Sequence, residues 1–405
     1  PHLFSSAASD VYKRQQHFGK IARKKNTKSK VHSVFVSGML RMGFKEKDLK
    51  KIRSNVGVSY ALYDEGAWQN ELKNGNLENA PEILRLINLQ NNGENNIRKV
   101  EMGKYYGSID NNSATIIFNE KLLHPFQPYS KQAISNQINY FLKVFEMNDV
   151  MRGDNQIWFW KESLTFICLV CGLILIIPTS KFFLDLSFFK ELKKPIPKSI
   201  PVPKGRGLIL FWGIILISIL IACFSFVPLS ELTKSLFIDA GNRKQTWFFP
   251  QRMNNAIMLW ATLNGIIGLV LFYLSYTMYG KKNGIKKNML GVSISRVQML
   301  KTIVLAFLIA CSYFILLSVV YYLFHIDYRF IFISAKVFSK ETLYALPMYL
   351  PFFFIFFLSN SIRINGSLRF QGSIGPPNFV LSVLGTSGGL IAILLIQYIY
   401  FWLTG

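Results

Sequence analysis

Leu164-Thr-Phe-Ile-Cys-Leu-Val-Cys-Gly-Leu-Ile-Leu-Ile-Ile177 decides the class of this chain. It carries no charge, and with its flanks (157–178) it reaches the roughly 20 residues that cross a hydrocarbon core of about 30 Å. Only helices and closed barrels satisfy their own backbone in lipid, and the run lacks the alternation of a barrel strand. Five further apolar segments follow, over 207–228, 255–279, 297–324, 343–362 and 378–403. One such run can form a soluble core. Six in succession predict an all-α polytopic membrane domain of about six transmembrane helices over 157–405, with the lipid bilayer as its partner.

The hydrophobic content of 51% and aromatic content of 15% average two unlike halves, because residues 1–155 are polar and rich in Asn and Lys. The net charge of +24 has a simple source. Basic residues collect in the short loops between spans and in two runs at 23–30 and 45–53, so no nucleic-acid partner is expected. All four cysteines (Cys168, Cys171, Cys223, Cys311) fall inside spans. Cys168-Leu-Val-Cys171 has no second pair and no nearby histidine, so neither a metal site nor a cofactor is expected.

Loop charge gives an orientation. Fourteen Lys and Arg lie in the loops after spans one, three and five, against seven after spans two and four. The richer side is expected in the cytoplasm, which puts the polar segment before Ile157 outside. Trp158, Trp160 and Trp402 sit at span ends as interfacial anchors. Lys161 and Glu162 fall in the first turn of span one, where snorkelling to the headgroups costs little. No ionisable residue is expected at mid-span, so the usual mark of an ion path is missing. Asn264 is the deepest strong polar group and is expected to hydrogen-bond between helices. Pro195-Ile-Pro-Lys-Ser-Ile-Pro-Val-Pro203 reads as a stiff, extended connector.

The first fifteen residues stand apart. Ser5–Gln15 (SSAASDVYKRQ) reads like translated sequencing-adapter sequence, so 1–15 is set aside as non-native and the chain is expected to be an N-terminally truncated fragment.

Residues 16–150 alternate helix and strand signals. Strands are predicted at His32–Ser37 and Val56–Leu62, and a hairpin joining Lys104–Ser108 to Ala114–Phe118. Helices are predicted over Lys45–Ile52, Glu78–Leu89 and Tyr129–Phe145. The last carries an apolar stripe of Ile134, Ile138, Phe141, Leu142 and Phe145. Such alternation implies a mostly parallel sheet covered by helices, with functional groups at the carboxyl ends of strands. Two loops fit that rule: Asp64-Glu65, and Leu123-His124-Pro125. A carboxylate can fix the tautomer of a histidine that takes a proton from a hydroxyl, and acid before histidine before a closing helix is the order used by α/β-hydrolases. Asp64 and His124 are therefore the candidate catalytic pair, with Glu65 competing for the acid role. Either can also be ordinary turn chemistry. His17, His32 and His325 have no partner in sequence. No G-x-S-x-G precedes His124, and Phe35-Val-Ser-Gly-Met39 lacks both flanking glycines around Ser37. The nucleophile is expected just upstream of Gln16.

Three stretches resemble a known family. They are Asn55-Val-Gly-Val-Ser-Tyr-Ala-Leu-Tyr-Asp-Glu65, the segment from His124 to Phe145, and Asp154-Asn-Gln-Ile-Trp-Phe-Trp-Lys-Glu162 at the membrane entry. They resemble bacterial membrane-embedded α/β-hydrolase-fold proteins, in which an extracytoplasmic hydrolase-like domain precedes a multi-span domain. This chain has Leu122-Leu123-His124 where such proteins more often show Thr-Thr-His. The resemblance implies the C-terminal part of an α/β-hydrolase-like domain over 16–150, then the membrane domain, in a bacterial cytoplasmic membrane. It implies a serine hydrolase of ester, thioester or peptide bonds when full length, acting on a small-molecule or peptide substrate, with His124 as base and Asp64 as its orienting acid. Leu77–Gly103 would then be an excursion over the site. The alternatives are a non-catalytic transport or scaffold protein with a degenerate hydrolase domain, and a permease subunit.

Overall fold

The computed structural model describes residues 31–38, 49–90, 96–147, 152–331, 333–335, 337–372 and 374–404. Residues 1–15, the expected nucleophile region and the first half of the helix predicted at Lys45–Ile52 lie outside them. The chain divides into two compact units. One holds residues 1–169, 327–335 and 397–405, the other 170–326 and 336–396.

The first unit contains a four-stranded mixed sheet, in the order β1 (Ser33–Ser37), β2 (Asn55–Tyr63), β4 (Thr115–Leu123), β3 (Tyr105–Tyr106). β1 and β4 both run parallel to β2, while β3 pairs antiparallel with β4. β2 is central, and its Val56 and Val58 are fully buried, as a strand covered on both faces must be. Alternation sorts the side chains. Val34, Val36, Val58 and Ile117 join one core with Ile83, Leu86 and Ile87 of α1 (Pro81–Gln90). Ile116, Phe35 and Phe118 face the other way, onto Tyr140 and Val144 of α2 (Lys131–Val144). Helices thus cover both faces of the sheet.

Two expectations shift here. The segment 77–103 supplies Leu77, Ala80, Ile83, Leu86, Ile87 and Val100 to the sheet's core, so it is a packed layer rather than a cover over the site. The reason is its run of apolar residues at helical spacing, which must be buried to offset its ordering cost. On α2 the buried positions are Ala133, Ser135, Tyr140 and Val144, and Phe145 of the predicted stripe is exposed. Tyr140 wins because its ring fills the space beside Phe35, with centroids 5.4 Å apart. The helix also starts at Lys131, since Ser130 caps it by accepting from Ala133 N–H at 3.3 Å.

The membrane-entry stretch docks on α2. Ser135 donates to the Gly153 carbonyl at 2.7 Å, and Gln156 donates to that same carbonyl at 2.6 Å. α3 (Trp158–Asp185) follows. The first unit also holds a small hairpin, Tyr328–Phe330 paired with Ile333–Ala335. Tyr129 donates to the Ile331 carbonyl at 2.9 Å, tying that hairpin to the turn after β4.

Among the described residues, six helices are long and apolar enough to cross a membrane: Trp158–Asp185, Arg206–Leu236, Arg252–Asn283, Arg296–Phe324, Thr342–Ser367 and Asn378–Tyr400. The chain is a multi-pass membrane protein. The second unit holds α4 (Arg206–Leu236), α5 (Arg252–Ser275), α6 (Arg296–Phe324), α7 (Lys340–Ile362) and most of α8 (Asn378–Thr404), and α5 packs on α4 and α7 through small residues and buried polar pairs. A Cβ on Gly265 of α5 would stand 2.8 Å from the backbone of Phe356 on α7, so only glycine allows that approach. Tyr349 donates to Asn255 at 2.6 Å between the same helices, and the Trp260 indole donates to the Ala222 carbonyl at 2.7 Å.

Asn264 does not do what its depth suggested. It donates to the Trp260 carbonyl of its own helix at 2.8 Å, the local bond that a short amide reaches most easily. The fifth span runs past the predicted 343–362 to Ser367, so Arg363 belongs to the span rather than to the loop after it. The proline-rich connector is also anchored. Ile200 is buried, and Ile200-Pro201 pairs in parallel with Phe370-Gln371.

Candidate active site at the carboxyl ends of the parallel strands

β1, β2 and β4 run parallel, so their carboxyl ends share one edge of the sheet. Ser37-Gly38 leaves β1 there, Asp64-Glu65-Gly66 leaves β2, and His124 leaves β4. Sixty positions separate Asp64 from His124, yet Asp64 Oδ2 lies 2.8 Å from His124 Nδ1. The carboxylate can only accept, so Nδ1 carries the hydrogen and Nε2 presents its lone pair outward. The paired acid is Asp64. Its side chain is 5% exposed against 43% for the imidazole, so the acid is buried and the base faces solvent.

Asp64 is held by more than the histidine. Its Oδ1 accepts from Gly66 N–H at 2.6 Å, and the buried Tyr60 phenol hydrogen-bonds to it as well as to Asn70. Burial and the adjacent Asp64 push the Tyr60 phenol far above its ordinary range, so it stays a donor. Gly66 is needed at that position, because a Cβ there would stand 3.0 Å from Asp64 Oδ1. The hydrogen bond that His124 donates to Asp64 raises the His124 pKa above its ordinary value, against a smaller opposing effect of burial. Glu65 makes no hydrogen bond to His124. Burial raises its own pKa, and its Oε2 is buried without a partner among the described residues.

A second group of polar residues lies beside the imidazole, and sequence reading missed it. Ser59 donates toward both oxygens of Glu120 at 3.1 and 2.9 Å, Gln127 donates to Ser59 at 2.6 Å, and Asn136 donates to Glu120 at 2.9 Å. Gly38 N–H bonds the Ser59 carbonyl at 3.0 Å. Gly38 adopts φ +67°, and a Cβ on it would stand 3.1 Å from His124 Cε1. The β1 turn therefore abuts the imidazole. The available signal was Glu120, a carboxylate inside a strand, which demands partners where it is buried.

No described hydroxyl is hydrogen-bonded to His124. Among the described residues, no cluster of His, Cys, Asp and Glu has metal-binding geometry. His32 bonds only its neighbour Ser33, at 2.8 Å. His325 ends α6 in a left-handed conformation. His17 lies outside the described residues. Comparison with protein-family models, with curated proteins and with solved structures returns no match for this chain.

Proposed function

We propose that the polar unit is the histidine-and-acid half of a serine hydrolase site, carried on a bacterial membrane protein and acting outside the cytoplasm on ester, thioester or peptide bonds. The observation that carries this reading is the 2.8 Å contact between buried Asp64 and half-exposed His124 at the edge where parallel strands end. In this reading His124 Nε2 takes the proton from a serine hydroxyl as the oxygen attacks the acyl carbon. It later returns that proton to the leaving group, while Asp64 stabilises the imidazolium. The serine comes from chain before β1, whose free edge faces no described strand. Two carboxyl-end loops beside each other, one acidic and one with histidine, support an α/β-hydrolase arrangement.

The test is ester turnover, with fluorophosphonate labelling, in membranes from cells expressing the whole reading frame. His124→Ala should lower turnover about 10³-fold or more. Unchanged turnover in that variant removes His124 from the chemistry. A second reading, a scaffold or transport protein that keeps a degenerate hydrolase domain, draws on the absence of a described hydroxyl on His124. It predicts no labelling of the intact protein.

A further inference from the structure

The second unit contains a cavity of about 120 Å³ among α4, α5, α7 and α8, closed on one side by the loops after α3 and α7. Cavities of about 150 Å³ hold a benzene-sized apolar group, so this one is large enough for several carbons of an acyl chain. Its walls are mostly apolar, with Phe211, Ile214 and Phe272 prominent. One lining residue is charged, Arg363. Its guanidinium donates to the Gly385 carbonyl of α8, and its Nη2 lies against Gly268 of α5, where a Cβ would stand only 2.7 Å away. Among the described residues Arg363 has no carboxylate partner. Ser218, Ser359 and Gly385 line the cavity beside it, and the same arginine borders a smaller cavity of about 30 Å³ next to Trp260.

A cation inside a membrane domain is costly unless a counter-charge or carbonyls meet it. One carbonyl satisfies one of the five guanidinium hydrogens, and the residue lines a pocket of hydroxyls and hydrocarbon. The loops that supply lining residues also supply exposed Lys204, Arg206, Lys281, Lys282, Lys286 and Lys287. Positive charge at the rim, one arginine within and apolar walls beyond together describe the shape of an anionic amphiphile. We infer that this cavity binds the phosphate headgroup and first acyl carbons of an anionic phospholipid, with Arg363 on the phosphate.

Native mass spectrometry of the intact chain, released from nonionic detergent, tests this. The probes are dioleoyl phosphatidylglycerol and dioleoyl phosphatidylcholine at equal concentration. Wild type should retain the phosphatidylglycerol adduct at least fivefold over phosphatidylcholine. Arg363→Gln should lose that preference and Arg363→Lys should keep part of it. Ile214→Trp leaves the charge and fills the space, so it should lose the adduct too, which keeps the test open if Arg363→Gln folds poorly. An undiminished preference in Arg363→Gln or in Ile214→Trp overturns the inference. Displacement of the adduct by millimolar inorganic phosphate also overturns it, because the site would then be one for a free anion.

Discussion

Glu162, in the first turn of the first span, is ion-paired with Arg329 of the hairpin between the fourth and fifth spans, Oε1 to Nη2 at 2.5 Å. The pair spans 167 positions, and both side chains are mostly shielded. It brings together two segments that parity alone puts on the same side of a bilayer, since four spans, an even number, separate them. Near it Tyr129, five residues beyond His124, holds the same hairpin. The histidine turn and the membrane entry are therefore tied to one element.

Removing one partner leaves the other charge half-buried and unpaired. Glu162→Gln or Arg329→Gln should each destabilise by about 1–3 kcal/mol, between the surface and buried limits. Melting temperature in detergent would measure it, and the double variant should cost less than the sum of the two. Additive losses would mean the pair contributes nothing.

The pH response of His124 follows from its bond to Asp64. Its folded pKa is raised above 6.5, so the protonated form is favoured in the folded state. That contribution to stability is present in full below 6.5 and is lost as pH rises through the raised folded-state value. Turnover should run the opposite way, appearing as the imidazole loses its proton. Asp64→Asn should move the His124 titration to lower pH, read from the imidazole carbon signal in labelled protein. A titration that does not move would remove the carboxylate as its cause.

Gly57 of β2 sits under the ring of Phe35, its partner in register on β1. A Cβ on Gly57 would stand 2.3 Å from Phe35 Cδ2, so Gly57→Ala forces the ring aside. The expected cost is about 1–3 kcal/mol. Adding Phe35→Leu should recover part of it. Protease resistance of the polar unit during a thermal ramp would report both.

In the membrane unit, Tyr349→Phe leaves the Asn255 carbonyl oxygen without its donor. Such bonds between membrane helices contribute roughly 0.6 kcal/mol on average, so a small drop in melting temperature is expected. Gly265→Leu should be far worse, because a side chain there meets the backbone of Phe356. If both variants melt alike, close approach of α5 and α7 is not what stabilises the bundle.

Much of the site was readable in the chain and some was not. Asp64 and His124 announced themselves by falling where predicted strands end, and the run Val56–Leu62 read as a buried strand, which β2 is over most of its length. Glu120 and Gln127 did not, because a polar residue in a strand says nothing about which neighbour will satisfy it. Asn264 misled for a related reason: depth in a span marks a polar group as needing a partner, and a carbonyl four residues back was nearer than another helix.

Hydropathy alone marked this chain as a multi-pass membrane protein, because apolar length against bilayer thickness is a local property of the chain. Alternation of helix and strand signals likewise pointed to a mostly parallel sheet covered by helices, which the β1, β2 and β4 pairing bears out. Pairings across long loops were decided only by tertiary structure. Which acid meets the imidazole, that 77–103 packs as core, and that Arg363 lines a cavity all depend on register and helix rotation. Those are set by the summed fit of many distant side chains, which no window of sequence contains.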